Sequence, residues 1–164
     1  MTDLGKLSSA LAAIAVCVAA TWPIAYFVDE CWKKLGWSRG GTGFARIPWL
    51  VSLVGVVERS LFVLALHIGQ PEFIGLWLTL KIASQWNQWS SDSVQLTTAT
   101  VPGRAVFQVF LLGNAFSILF AFLAFKVYSW LQAGLPPVQS GIAVLASATL
   151  TFILGFLVRK WRVT

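Results

Sequence analysis

Long apolar runs alternate with short basic or polar stretches along the whole chain. Leu7 to Val28 carries no charge and ends against Asp29-Glu30. A hydrocarbon layer about 30 Å thick takes roughly 20 apolar residues as a helix, so this run predicts a membrane span, bent near its end by Pro23. Pro48 to Gly69 predicts a second span that carries Glu58, Arg59 and His67. Glu72 to Trp89 is shorter and holds Lys81. Ala105 to Leu131 holds Asn114 and Lys126, and Val138 to Val158 is uncharged. The pattern predicts an all-α polytopic transmembrane helix bundle, one membrane domain over 1–164, with spans at about 7–28, 48–69, 72–89, 105–131 and 138–158. Four spans plus a short or re-entrant helix at 72–89 is the alternative. Lys6, the first apolar run and Val18-Ala19-Ala20 also read as a signal peptide. The run continues to Val28, however, and further spans follow, which favours a retained helix.

Composition narrows the class. Hydrophobic residues make up 57% of the chain and charged residues 11%, and the mean hydropathy is +0.76. An average soluble domain is roughly 25% charged, and a soluble globule of this size could not cover so much apolar surface. A soluble enzyme, a disordered tail and a disulfide-stapled secreted module are excluded.

Charge orients the spans. On the side of the 29–47 loop, the 90–104 loop and the C-terminal end lie eight basic residues: Lys33, Lys34, Arg39, Arg46, Arg104, Arg159, Lys160 and Arg162. The opposite side has two, Lys6 and Lys126. Cytoplasmic flanks collect Lys and Arg, so five spans imply an N-terminus outside and a C-terminus in the cytoplasm. Seven of these, Lys33, Lys34, Arg39, Arg46, Arg159, Lys160 and Arg162, are candidate contacts for anionic headgroups. The partner implied is a bilayer rather than a nucleic acid. Trp32, Trp37, Trp49, Trp86, Trp89 and Trp161 fall near that interface and Trp130 near the other, as an aromatic belt would. Trp32, Leu35 and Trp37 with the Lys33-Lys34 pair could form a short surface helix.

The candidate chemistry lies within the spans, in Glu58, Arg59, Lys81 and Asn114. An Arg, Lys or Asp at a helix centre costs about 2.5–3.5 kcal/mol on insertion scales, which makes the second span marginal unless neighbours receive its charges. Leu50, Val54, Val57, Leu61, Leu64 and Ile68 form a lipid-facing stripe on it, with Ser52, Gly55, Arg59, Ser60 and His67 opposite. Gly69-Gln70-Pro71 predicts a tight turn. Glu58 lies twelve residues before Gln70 and Lys81 eleven after it, so both should sit about 17 Å from the turn. Asn114 should reach the same depth. One reading is an intramembrane clamp that fixes helix docking. The other is a polar path for an anion or a headgroup phosphate, drawn by the single excess positive charge. His67 and Glu72 flank the turn as a candidate pH-responsive pair, against a solvated turn.

Small residues recur every fourth place in three spans: Ser9, Ala13, Cys17 and Thr21; Gly113, Ser117 and Ala121; Ala143, Ser147, Thr151 and Gly155. Such stripes let membrane helices approach closely, either within the chain or in a homo-oligomer or with a membrane partner protein. Ser38 to Arg46 is Gly-rich between two Arg, but neither phosphate-loop spacing is present, and a linker is the better reading. One His gives no two-His metal site, and no Gly-x-Ser-x-Gly elbow or Cys–His pairing occurs. No metal, cofactor or enzymatic activity is expected. A membrane-bound lipid enzyme is a distant third reading. Cys17 and Cys31 are too far apart along one helix to bridge.

The run Glu58-Arg59-x5-Ala65-Leu66-x2-Gly69-x-Pro71-Glu72-x-Ile74-Gly75-x-Trp77-Leu78-x2-Lys81, followed by Gly103-Arg104 and Gly113-Asn114-x2-Ser117, resembles a pattern in small uncharacterised bacterial inner-membrane proteins. The resemblance covers about residues 55–120 and implies a multi-pass protein of the bacterial inner membrane. It carries no activity and no catalytic residues. After Lys81, Ile82-Ala83-Ser84-Gln85-Trp86 departs from the Ser-Ile-x-Arg-Phe of many of these proteins. The sequence therefore points to a non-enzymatic integral membrane component whose charged layer organises the bundle. A channel or transporter subunit for a small anion or lipid headgroup is the alternative.

Overall fold

A computed structural model describes residues 3–36, 48–90, 92, 94–95, 100–134 and 137–160. The first apolar run folds as α1 (Asp3–Ala19) and α2 (Thr21–Lys34), separated by a turn at Ala20. Pro23 is the cause: proline has no N–H to give, and its ring crowds the carbonyl four residues back, at Ala19. The helix therefore breaks one turn before the proline and runs on past Val28 to Lys34. Asp29 and Glu30 do not end it. Both pair inside it with Lys33, at 3.0 and 2.7 Å.

Next come α3 (Pro48–His67), α4 (Glu72–Ser84) and the single turn α5 (Trp86–Trp89). Two short strands, β1 (Val94–Gln95) and β2 (Thr100–Val101), pair antiparallel. The chain continues as α6 (Gly103–Gln132) and α7 (Pro137–Lys160). Gly69 reverses the chain after α3 with φ +73°, a left-handed conformation that a side chain would oppose, and Gln70 N–H closes the turn on Ala65 O at 2.8 Å.

The all-α architecture is as expected. Among the described residues three helices are long and apolar enough to cross a membrane: Lys6–Lys34, Leu50–His67 and Gly103–Gln132. The 72–89 stretch is not among them. With 13 residues α4 is about 20 Å long, short of a hydrocarbon core of about 30 Å, and the helix breaks at Gln85 before α5.

The longest helix, α6, is the post around which α1, α2, α3 and α7 pack. Ala13 and Cys17 of α1 meet Ala124 near its C-terminal end, and Phe27, Cys31 and Trp32 of α2 meet Val106 and Val109 near its start. The Tyr26 ring packs at a tilt against Phe152 of α7, centroids 5.4 Å apart, and His67 meets Tyr128 at 5.0 Å. These contacts put the start of α1, the Gly69 turn and the end of α6 at one end of the bundle. The ends of α2 and α7 and the start of α6 lie at the other.

Small residues face inward and large apolar ones outward, the arrangement that suits helices in lipid. Ala121 and Ala124 are wholly buried, whereas Leu11, Leu64, Leu80 and Phe156 are at least half exposed. The small stripes are used inside the chain. Ser9, Ala13 and Cys17 are buried along α1, and Thr151 is buried on α7. A Cβ on Gly155 would come within 2.7 Å of Tyr26 Cε1. These described members of the stripes thus pack within the chain. Ala143 and Ser147 have side chains outside the described residues. Another correction concerns Trp32, which packs with Phe27 and Val106 in the core instead of standing in a headgroup belt, with Leu35 against the same cluster. Trp86 is exposed as a belt residue would be. Trp37 and Trp161, and the side chains of Trp49 and Trp89, lie outside the described residues.

Candidate functional site: an intramembrane polar layer

Consecutive residues on a helix point about 100° apart, so Glu58 and Arg59 cannot face the same neighbour. Glu58 turns toward α4. Lys81 Nζ lies 2.8 Å from its Oε1 and 2.9 Å from its Oε2, and Trp77 Nε1–H donates to Oε1 at 3.1 Å. The equal depth of Glu58 and Lys81 across the Gly69 turn is what allows this contact. Lys81 Nζ also donates to Asn114 Oδ1 on α6 at 2.9 Å and lies 5.5 Å from the Phe110 ring centroid. Asn114 Nδ2 is held by the Phe110 carbonyl at 2.7 Å, which fixes the amide so that its oxygen faces the ammonium. Acid, base and amide thus form a network of no net charge linking α3, α4 and α6.

Arg59 turns the other way and is 2% exposed. Its Nε–H donates to the carbonyl of Cys17 at 2.9 Å, its Nη2 to Thr21 Oγ1 at 2.6 Å and its Nη1 to Ser117 Oγ at 3.4 Å. Cys17 is in the last turn of α1, where helix carbonyls lack intrahelical donors and the helix dipole is negative. The guanidinium thus meets a carbonyl at the C-terminal end of α1, beside the turn at Ala20. Gly55, one turn before Arg59, leaves room for it: a Cβ there would stand 3.2 Å from Nη1. Among the described residues no carboxylate comes within salt-bridge distance of Arg59. A guanidinium has five N–H donors, and three are engaged here.

Both groups border one cleft of about 280 Å³ between α2, α3, α4 and α6. Its inner end is polar, with Thr21, Arg59 and Ser117. Its walls are apolar, with Ile24, Val28, Val54 and Val109 among them. The single excess positive charge read from the sequence is thus assigned to Arg59, since Lys81 is matched by Glu58.

The structure brings Glu58, Lys81 and Asn114 into contact and places Arg59 beside them on a separate set of partners. It does not join His67 to Glu72: His67 packs edge-on against Tyr128, and Glu72 is exposed in the first turn of α4. Of the candidate headgroup contacts, Lys33 is occupied by Asp29 and Glu30, so it is not a free cation for lipid. Lys34, Arg159 and Lys160 are exposed. Arg39, Arg46 and Arg162 lie outside the described residues, as does the Gly-rich 38–46 segment. Among the described residues no cluster of His, Cys, Asp or Glu could hold a metal. The sequence reading missed Trp77 as a donor and Thr21 and Ser117 as acceptors. The last two were visible only as members of small-residue stripes. Known protein families, curated proteins and solved structures give no match to this chain.

Proposed function

We propose that this chain is a non-enzymatic integral membrane component of a bacterial inner membrane whose intramembrane charges fasten its helices together. The observation that carries this reading is the Lys81–Glu58–Asn114 network, in which each charge is matched across a different helix. A charge in hydrocarbon is tolerated when paired, and the pair then fixes which helices meet and at what register. Five crossings belong to the same proposal, with α4 and α5 together returning the chain. In it the start of α1 is outside and the end of α7 is cytoplasmic. Lys34, Arg104, Arg159 and Lys160 would then share the cytoplasmic end, as the positive-inside rule favours.

Charge exchange tests the clamp. Glu58→Gln and Lys81→Gln should each lower the thermal midpoint in maltoside micelles. The exchange Glu58→Lys with Lys81→Glu should recover part of the loss, incompletely because Trp77 N–H would then face a cation. Losses that simply add in the exchange would overturn the clamp.

A second reading, an anion-binding or anion-conducting subunit, is favoured by one observation: Arg59 is buried on the cleft without a carboxylate partner among the described residues. It expects Arg59→Gln to change anion flux in liposomes while the protein still assembles.

A further inference from the structure

The cleft beside Arg59 has a definite polarity and a definite opening. Its inner end is a guanidinium with two N–H donors to spare beyond Cys17, Thr21 and Ser117. Of the residues lining it, Ala25 on α2 and Val51 and Val54 on α3 are exposed on the outside of the bundle, with Val51 at 54% and Val54 at 48%. The apolar side of the opening is therefore the gap between α2 and α3, while the exposed Gln85 at the end of α4 lines the cleft on its other side. A ligand reaching Arg59 this way comes from the hydrocarbon and not from water. A hydrated inorganic anion would have to shed its shell against apolar walls.

Three constraints define the occupant. It carries one negative charge to match the one unmatched cation. It has an apolar body to line the walls, and it is narrow: at about 30 Å³ per water-sized group, 280 Å³ holds about nine such groups. It must also be able to enter hydrocarbon. A phosphate monoester carries about −1.5 to −2 at neutral pH and stays at the headgroups. A carboxylic acid ionises with an ordinary value of about 4, so it can cross the interface neutral and lose its proton on meeting a cation. We propose that the Arg59 cleft binds a single-chain fatty acid, its carboxylate on the guanidinium and its chain leaving between α2 and α3. The inference rests on the anion-binding reading above and names the anion.

The test uses the full chain in maltoside micelles, with native mass spectrometry to count bound decanoate. Decyl phosphate, decyltrimethylammonium and chloride are the comparison probes. The expected result is one decanoate per chain, bound at least tenfold more weakly by Arg59→Gln and by Val54→Trp, and no decyltrimethylammonium. Val54→Trp plugs the opening from an exposed position without touching Arg59, so it decides the matter if Arg59→Gln fails to fold. Equal binding of the cationic amphiphile, or decanoate binding unchanged in both variants, overturns the proposal. Arg59-dependent binding of chloride or decyl phosphate without decanoate overturns the fatty acid and leaves the anion-binding reading standing. No binding by any anion overturns both.

Discussion

Glu58 and Arg59 are adjacent in the chain, opposite in charge, and do not pair with each other. Glu58 meets Lys81 at 2.8 Å on one side of α3, and Arg59 meets the Cys17 carbonyl at 2.9 Å on the other. One helix thereby has two fastenings at one depth. One is an ion pair to α4, and the other joins a cation to neutral acceptors on α1, α2 and α6.

The acceptors around Arg59 should rank by geometry. Thr21→Val removes a hydrogen bond of 2.6 Å and Ser117→Ala one of 3.4 Å, so the first should cost more. Hydrogen bonds to charged groups contribute about 1.5–3 kcal/mol, which sets the expectation for Thr21→Val, with Ser117→Ala below 1 kcal/mol or so. Denaturant titration of both variants in the same micelle gives the order. A larger loss for Ser117→Ala would contradict the geometry.

Close approach between α2 and α7 makes Gly155 intolerant of even one methyl. Its Cβ would sit 2.7 Å from Tyr26 Cε1 and 3.3 Å from the Phe27 Cα, and backbone cannot yield as a side chain can. Gly155→Ala should destabilise by about 1–3 kcal/mol, the range for overpacking. Trimming the partner with Tyr26→Ala in the same chain should relieve part of that, measured as a double-mutant cycle on thermal midpoints. Strict additivity would mean that the two helices do not meet there.

At the Gly69 turn, ring packing replaces the ion pair that the sequence invites. His67→Phe keeps an edge-on ring partner for Tyr128 and should cost less than about 1.5 kcal/mol, the range for size-conserving changes. Glu72→Gln should leave unfolding between pH 5.5 and 7.5 superimposable on that of the parent. A pH-dependent loss confined to Glu72→Gln would restore the titrating pair.

Both cysteines are buried, Cys17 at 1% and Cys31 at 8%, so a bulky membrane-impermeant maleimide should label neither in the folded protein. With that background, Lys34→Cys and Glu72→Cys, both at exposed positions, report sidedness in intact cells. The five-crossing proposal expects external reagent to reach position 72 and position 34 only after lysis. Labelling of both from outside, or the reverse order, would sink that topology.

The reach of the sequence varies with how local the determining geometry is. The Glu58–Lys81 contact followed from counting residues on either side of Gln70, because rise per residue is nearly constant and a tight turn leaves no slack. Of the predicted outward stripe, Leu50, Val54, Val57, Leu64 and Ile68 are exposed as helical period alone implied, and Leu61 is half-buried. Arg59 could not be traced in the same way. Its principal acceptor is a main-chain carbonyl, which every residue has, and nothing in the side-chain pattern singles out that of Cys17. The sequence reading put the bend near the proline, and the break lies a turn earlier at Ala20. Trp32 misled for a related reason: amphipathic position suits both a belt and a core, and only the neighbours Val106 and Val109 decide. The stripes of small residues announced close packing correctly without saying whether the partner was this chain or another copy.

The order in which Arg59 meets its acceptors bears on how the chain enters the bilayer. Cys17 and Thr21 precede α3 in synthesis, while Lys81, Asn114 and Ser117 follow it. When α3 emerges from the ribosome, a docking place for its guanidinium has therefore already been made, and its carboxylate must wait for α4. Delaying or deleting the first helix pair should stall the third segment at the insertion machinery, whereas truncation after His67 should leave α3 able to integrate. Biogenesis of this bundle is thus vectorial, with the cation secured before the anion.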